Sequence, residues 1–296
     1  MIKAKDTDRH LREAILNLLA YCAVFQLALS DEEILWYIPV KASSVGVRSH
    51  LRKLQKRGKI KQLKGGKFGI KSIKYPSQFT RQQNIDQQMK KAKHWSYLFR
   101  LLPSVKAVIV SSDDLVRSTD SHSNAHYIFI TLPNRIYITK GSLYYLLGLM
   151  RKRRNASNNE DCLYLDTFYT TAGLRFVENM GTDELSQTLW FILAQPVYGK
   201  QTWDLLIKNN PSLYKRLPNY PWQHHKSKIF SSFSQRLDKL DNSGYRKHLR
   251  HIADQSEFQD KKALLRIRPD ALIARPSHND KLAKIKSNYK DIYSHL

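Results

Sequence analysis

Apolar positions recur along the first part of the chain with two periods. Leu11, Ile15, Leu18, Leu19, Cys22 and Phe25 repeat at helical spacing and predict one amphipathic helix. Ser30 then precedes Asp31, Glu32 and Glu33, and Ser30 with Glu33 forms a capping box ahead of a second helix whose inward residues are Ile34, Leu35 and Ile38. Ser43 or Ser44 starts a third helix, with Val47, Leu51 and Leu54 inward and Gly58 as its stop. The period then changes. Lys59–Leu63 and Lys67–Ile70 predict two short strands, and Gly65-Gly66 between them suits a tight turn that needs positive φ.

Further along, Trp95, Leu98, Phe99 and Leu102 mark a helix that ends at Pro103. The runs Val105–Val110 and Tyr127–Thr131 read as buried strands. Polar residues 155–161 predict a surface loop, and Leu237, Leu240, Leu249 and Ile252 are spaced for a helix. Residues 264–273 suit either a strand or a turn-rich link. The expected class is α+β, in three parts. Residues 1–75, with three helices and a hairpin, follow the order of a winged helix-turn-helix. Residues 76–180 form a mixed sheet with helices, and residues 181–296 a mainly helical C-terminal region.

Charge sharpens the first part. The chain of 296 residues carries 50 Lys+Arg against 25 Asp+Glu, a net charge of +25. Such an excess predicts attraction to phosphate backbones and weaker binding as salt rises. From Lys41 to Lys74 every charged residue is basic. The third helix offers Arg48, Arg52, Lys53, Lys56 and Arg57, and the hairpin adds Lys59, Lys61, Lys64 and Lys67. In a winged helix the third helix can enter a major groove while the wing touches the neighbouring backbone. These nine side chains are the expected nucleic-acid contacts, with DNA favoured over RNA; a protein-docking module of a larger complex is the alternative.

Other chemistry is sparse. The cysteines, Cys22 and Cys162, lie in apolar runs outside any C-x-x-C pair, which predicts a reducing, cytoplasmic setting without disulfide or zinc. Residues 1–10 are polar and charged, so no secretory leader is expected. Leu143–Met150 is far shorter than the ~20 apolar residues of a spanning helix. His224 and His225 are adjacent and cannot share one helical or strand face. His248 and His251 can share a helical face, but Arg246, Lys247 and Arg250 would repel a cation there. The basic run Arg151–Arg154 suits either phosphate or a helix end. Trp190, Trp203, Tyr214, Tyr220 and Trp222 are read as core in preference to base-stacking groups. No cofactor is implied.

Three stretches resemble bacterial proteins that join a winged helix to a nucleotidyltransferase domain of the polymerase-β type: Tyr21–Phe25 through Ser30–Ile34, Leu102-Pro103-Ser104-Val105-Lys106, and Leu217-Pro218-Asn219. The likeness spans about residues 10 to 222. It implies a mixed sheet carrying Gly-Ser at a helix start for the triphosphate and Asp-x-Asp on a strand for Mg²⁺, and Arg117 matches an arginine of that motif. The departures are pronounced. Ser112-Asp113 stands in the Gly-Ser place, where an aspartate would repel phosphate. Asn124 and His126 stand where the two carboxylates would be, and neither suits a hard Mg²⁺ ion. Asp166 is the one nearby candidate for the family's third carboxylate. Phosphoryl transfer depends on metal placement and charge stabilisation, so the resemblance implies a degenerate site with no catalytic residue and no bound metal. An active nucleotidyltransferase with a displaced site, using Asp113, Asp114, His126 and Asp166 with a softer metal, is the rival expectation.

Overall fold

A computed structural model describes residues 2–110, 126–152, 163–174, 184–222, 240–247, 267–268, 271–273 and 287–294. It is an α+β protein in which helices surround a two-stranded hairpin and a separate mixed sheet.

The first region contains α1 (Ile2–Val24), α2 (Asp31–Tyr37), α3 (Ser44–Lys56) and the antiparallel pair β1 (Ile60–Gln62) and β2 (Phe68–Ile70). Its boundaries follow from local chemistry. The Ser30 hydroxyl accepts from the Glu33 N–H at 3.1 Å while the Glu33 carboxylate accepts from the Ser30 N–H at 2.7 Å. The Ser43 hydroxyl accepts from the Gly46 N–H and starts α3. Gly58, at φ 71°, ends it: its N–H donates to the Gln55 carbonyl and that of Lys59 to the Leu54 carbonyl. Gly65 and Gly66 adopt φ 81° and 75° at the hairpin tip. Helix α1 begins at Ile2, ahead of the first periodic apolar residue at Leu11, because a helix already anchored by Ile15, Leu18 and Leu19 can propagate back through polar sequence.

The second region is built on a six-stranded sheet. Helix α4 (Gln78–Phe99) leads into β3 (Val105–Val110), followed by β4 (His126–Thr131), α5 (Ile136–Leu149) and β5 (Tyr164–Thr170). Helix α6 (Glu184–Leu193) and β6 (Gln195–Tyr198) follow, then α7 (Lys200–Lys208) and α8 (Ser212–Arg216). The short strands β7 (Ile267–Arg268) and β8 (Ala271–Ile273) complete the order β6-β3-β4-β5-β8-β7. Strands β4 and β5 run parallel, with α5 as their crossover, and every other pair is antiparallel. The stretch 181–296, expected to be mainly helical, therefore contributes strands to both edges of the sheet. Residues 267–273 take the strand alternative. Short edge strands leave little periodic signal, and Gln195-Pro196-Val197-Tyr198 has no alternation to read.

The central strands β3 and β4 are buried on both faces, which is why they read as continuous apolar runs. Tyr127 and Phe129 face α4 and α5, where Phe99 meets both rings edge-on and Phe168 stacks on Phe129 at 5.0 Å. Ile128 and Ile130 face the opposite layer of α6, α7 and α8, which includes Trp203 stacked on Phe191 at 4.7 Å. Helix α5 has no cap of its own. The buried Asp241, in the helical stretch 240–247, accepts the Ile138 N–H at 2.9 Å and supplies a negative group at that N-terminus.

The two regions touch. Leu189 of α6 lies in the core formed by α1, α2 and α3, and Tyr220 and Ile292 pack on it. The Asn219 side chain accepts from the Ala42 N–H and donates to the Val40 carbonyl, clamping the turn between α2 and α3. Among the described residues no helix is long and apolar enough to cross a membrane.

Candidate nucleic-acid interface

Helix α3 divides cleanly into two faces. Val47, His50, Leu51 and Leu54 are buried against α1, α2 and the hairpin, which leaves Arg48, Arg52, Lys53, Lys56 and Arg57 exposed. Lys64 is exposed at the hairpin tip, while Lys59, Lys61 and Lys67 are half-buried along the strands.

Acidic residues from outside the basic stretch neutralise part of this set. The Arg48 Nε donates to the Asp31 carboxylate at 2.6 Å, and that pairing raises the guanidinium pKa above its usual value. Lys53 lies 3.8 Å from Asp8 and Lys67 lies 3.6 Å from Glu33. Lys61 is committed to the protein: its ammonium donates to the Ile73 carbonyl at 2.7 Å and sits over the Tyr75 ring. Sequence reading missed these four engagements because their partners lie before residue 41 or in the backbone beyond the hairpin. His50 completes the group. Its Nδ1 donates to the Gly46 carbonyl, and its Nε2 lies 2.9 Å from Asp8.

The remaining cations form the candidate surface. Arg52, Lys56, Arg57, Lys59 and Lys64 have no acidic partner within salt-bridge distance among the described residues. Lys71 joins them. The register Ile60↔Ile70 sets Lys59 opposite Lys71, whose N–H donates to the Lys59 carbonyl, and its ammonium lies beside Gly58. Pairing the strands about Gly65-Gly66 would have revealed Lys71 from sequence. Part of this charge also stabilises the helix, since Lys53 and Lys56 occupy the last turn of α3 where carbonyls are unpaired.

The hairpin is held rigidly beside α3. The Tyr75 hydroxyl accepts the Ile70 N–H at 2.8 Å, and its ring covers Gly69, where any Cβ would collide with it. Leu29 and Phe68 exchange both backbone hydrogen bonds, which adds the segment before α2 to the hairpin's free edge.

The residues singled out as a degenerate transferase site are only partly in view. Ser112, Asp113, Arg117 and Asn124 lie outside the described residues, as do Asp114 and Cys162. His126 heads β4 and pairs with Tyr164, while Asp166 is the extra residue where the β4–β5 register shifts between Tyr127↔Leu165 and Ile128↔Thr167. Their backbones thus occupy the same end of two neighbouring parallel strands. Of the basic run at 151–154, Arg151 is exposed and Lys152 half-buried just past α5. Among the described residues no three His, Cys, Asp or Glu side chains gather closely enough to hold a metal ion. No protein-family model, curated protein or solved structure matches the chain.

Proposed function

We propose that the first region is a winged helix that binds nucleic acid, with duplex DNA as its preferred ligand. Helix α3 enters the major groove, and the β1–β2 hairpin follows the adjacent backbone as the wing. The observation that carries this reading is the cationic surface of exposed Arg52, Lys56, Arg57, Lys64 and Lys71 with half-buried Lys59, which have no acidic partner among the described residues while neighbouring cations are paired. Phosphates released from their counterions would make the binding strongly salt-dependent.

Fluorescence anisotropy with a duplex DNA and an RNA duplex of equal length, titrated at several salt concentrations, tests the reading. Affinity should fall steeply with salt, and Arg52→Glu/Lys56→Glu/Arg57→Glu should lower it by about a hundredfold or more and flatten the salt dependence. No binding to either duplex at low salt, or a slope indifferent to the triple variant, would overturn it.

In the same reading the sheet region is a nucleotidyltransferase-like scaffold without catalysis. Its support is the replacement of two expected carboxylates by Asn124 and His126. Incubation with labelled nucleoside triphosphates and Mg²⁺ or Mn²⁺ should give no transfer. Transfer that disappears in Asp166→Ala would reverse this part.

A further inference from the structure

Four side chains form the outer edge of α3. Val45, Ser49, Arg52 and Lys56 recur at helical spacing, on the side of the helix opposite the buried Val47, His50, Leu51 and Leu54. All four are exposed, Val45 at 73%. The cations on the two flanks are drawn back to the protein, Arg48 by Asp31 of α2 and Lys53 by Asp8 of α1. The edge changes character along its length. Its first half offers the two methyl groups of Val45 and the hydroxyl of Ser49, and its second half offers two cations with no acidic partner among the described residues.

We propose that this edge reads base sequence in the major groove, with Val45 packed against the C5-methyl group of a thymine. The proposal rests on duplex DNA binding by α3 and adds sequence selection to it. Three observations carry it. Val45 does nothing for the fold: it buries little surface in this chain, and a β-branched residue is a poor choice for an exposed helical position. It also has nothing to offer a phosphate, whereas the thymine methyl is the apolar group that the major groove presents. Secondly, its neighbours on the helix leave it open. Ser44, Gly46 and Ser49 are short, and the long side chain of Arg48 is turned to Asp31. Thirdly, it stands in line with cations that can hold the helix in place. Arg52 lies about 10 Å further along the axis and Lys56 about one turn beyond it. Phosphate contacts there fix register, and the uncharged first turns are left to meet base edges.

The test is selection of duplexes from a random DNA library by the full chain, then fluorescence anisotropy on the selected duplex with each thymine replaced in turn by deoxyuridine. One sequence pattern should be enriched, and one replacement should weaken binding about fourfold, the worth of one buried methyl group. Val45→Ala should bind the thymine duplex more weakly by a similar factor and should no longer distinguish it from that deoxyuridine duplex. Its salt dependence should match the wild type, whereas Lys56→Gln should flatten the slope by about one phosphate contact. Because Val45 is exposed, Val45→Ala should keep the circular dichroism spectrum and the urea midpoint nearly unchanged. Absence of duplex binding at low salt would defeat the nucleic-acid reading and this proposal together. Duplex binding with no enriched sequence, no deoxyuridine penalty at any thymine, or penalties of equal size in the wild type and Val45→Ala would overturn the base-reading edge alone.

Discussion

The helix-and-hairpin region and the sheet region solve opposite problems with the same chain. The first keeps a modest core of Ile15, Leu18, Ile34, Leu51 and their neighbours and pushes its charge outward, where acids at Asp8, Asp31 and Glu33 pair with only some of the cations. The second buries its central strands on both faces and packs aromatic rings at its centre, with Phe129 in contact with both Phe99 and Phe168. The contrast teaches that stability and surface chemistry are divided between the regions. Removing core from the sheet should damage folding far more than binding, and removing charge from α3 should do the reverse.

The largest effect is expected at the centre of the sheet. Phe129 is fully buried, between the edge of Phe99 and the face of Phe168. Phe129→Ala should cost about 3–5 kcal/mol, as truncation of a core aromatic does, read as a lower midpoint in urea unfolding. The same titration sharpens the comparison. If the shared contacts through Leu189 and Asn219 couple the regions, circular dichroism and tryptophan fluorescence will report one transition shifted together. If the helix-and-hairpin region unfolds at its original midpoint while the sheet melts early, the two are energetically separate.

Arg81 tests the joint from another side. This residue of α4 is buried at 3% exposure, and its Nη1 donates to the Gln26 carbonyl at 2.8 Å and more weakly to the Phe25 carbonyl at 3.4 Å, just past the end of α1. Burial lowers its pKa, a sign that the charge is desolvated at some cost. Arg81→Met keeps the packing of the stem and removes the donors. It should destabilise by about 1–3 kcal/mol, because the part-buried charged hydrogen bonds to these carbonyls are lost. An unchanged urea midpoint would show that water replaces the guanidinium and that the joint is loose. A smaller loss is expected at the start of α2. Ser30→Ala removes one half of the capping box and should cost about 1 kcal/mol without changing nucleic-acid affinity at temperatures where the protein is folded.

These expectations differ in how far sequence alone could support them, and the reason is range. Four boundaries in the first region are set by residues within a few positions of each other: Ser30 with Glu33, Ser43 with Gly46, Gly58 after Leu54, Gly65 with Gly66. A cap or a positive-φ turn leaves a local signature, so α2, α3 and the hairpin were readable almost to the residue. The central strands were readable because burial on both faces makes Val105–Val110 and Tyr127–Thr131 apolar throughout. The edges were not. Strand β6 is specified by pairing with β3, and β8 by pairing with β5 about 100 residues earlier in the chain. Gly199 shows the same limit. It carries φ 71° at the start of α7, and any side chain there would strike the backbone of Lys106 and Ala107, yet nothing in its neighbours distinguishes it from an ordinary loop glycine. The candidate site divides likewise. The cations of α3 and the hairpin could be named from the helical period, whereas their acidic neutralisers are products of tertiary contact.

The smallest effect is the most informative about the charge division. Asp31 holds Arg48 at 2.6 Å, with the arginine side chain 53% and the aspartate 30% exposed. A pair this open to water contributes little to stability, but it keeps one cation of α3 turned toward the protein. Asp31→Asn should therefore leave the urea midpoint nearly unchanged, since Glu32 and Glu33 still face the start of α2. It should also tighten duplex binding about twofold and steepen the salt dependence by roughly one phosphate contact. Arg48→Gln alone should weaken binding only slightly, because the native arginine is already engaged. Adding it to Asp31→Asn should cancel the gain. If Asp31→Asn tightens binding equally with glutamine at position 48, the aspartate acts by long-range repulsion of phosphate, and the cationic surface stops at Arg52. If the gain requires the arginine, the face extends one turn further toward the start of α3, and the acidic residues of the first region set its limit.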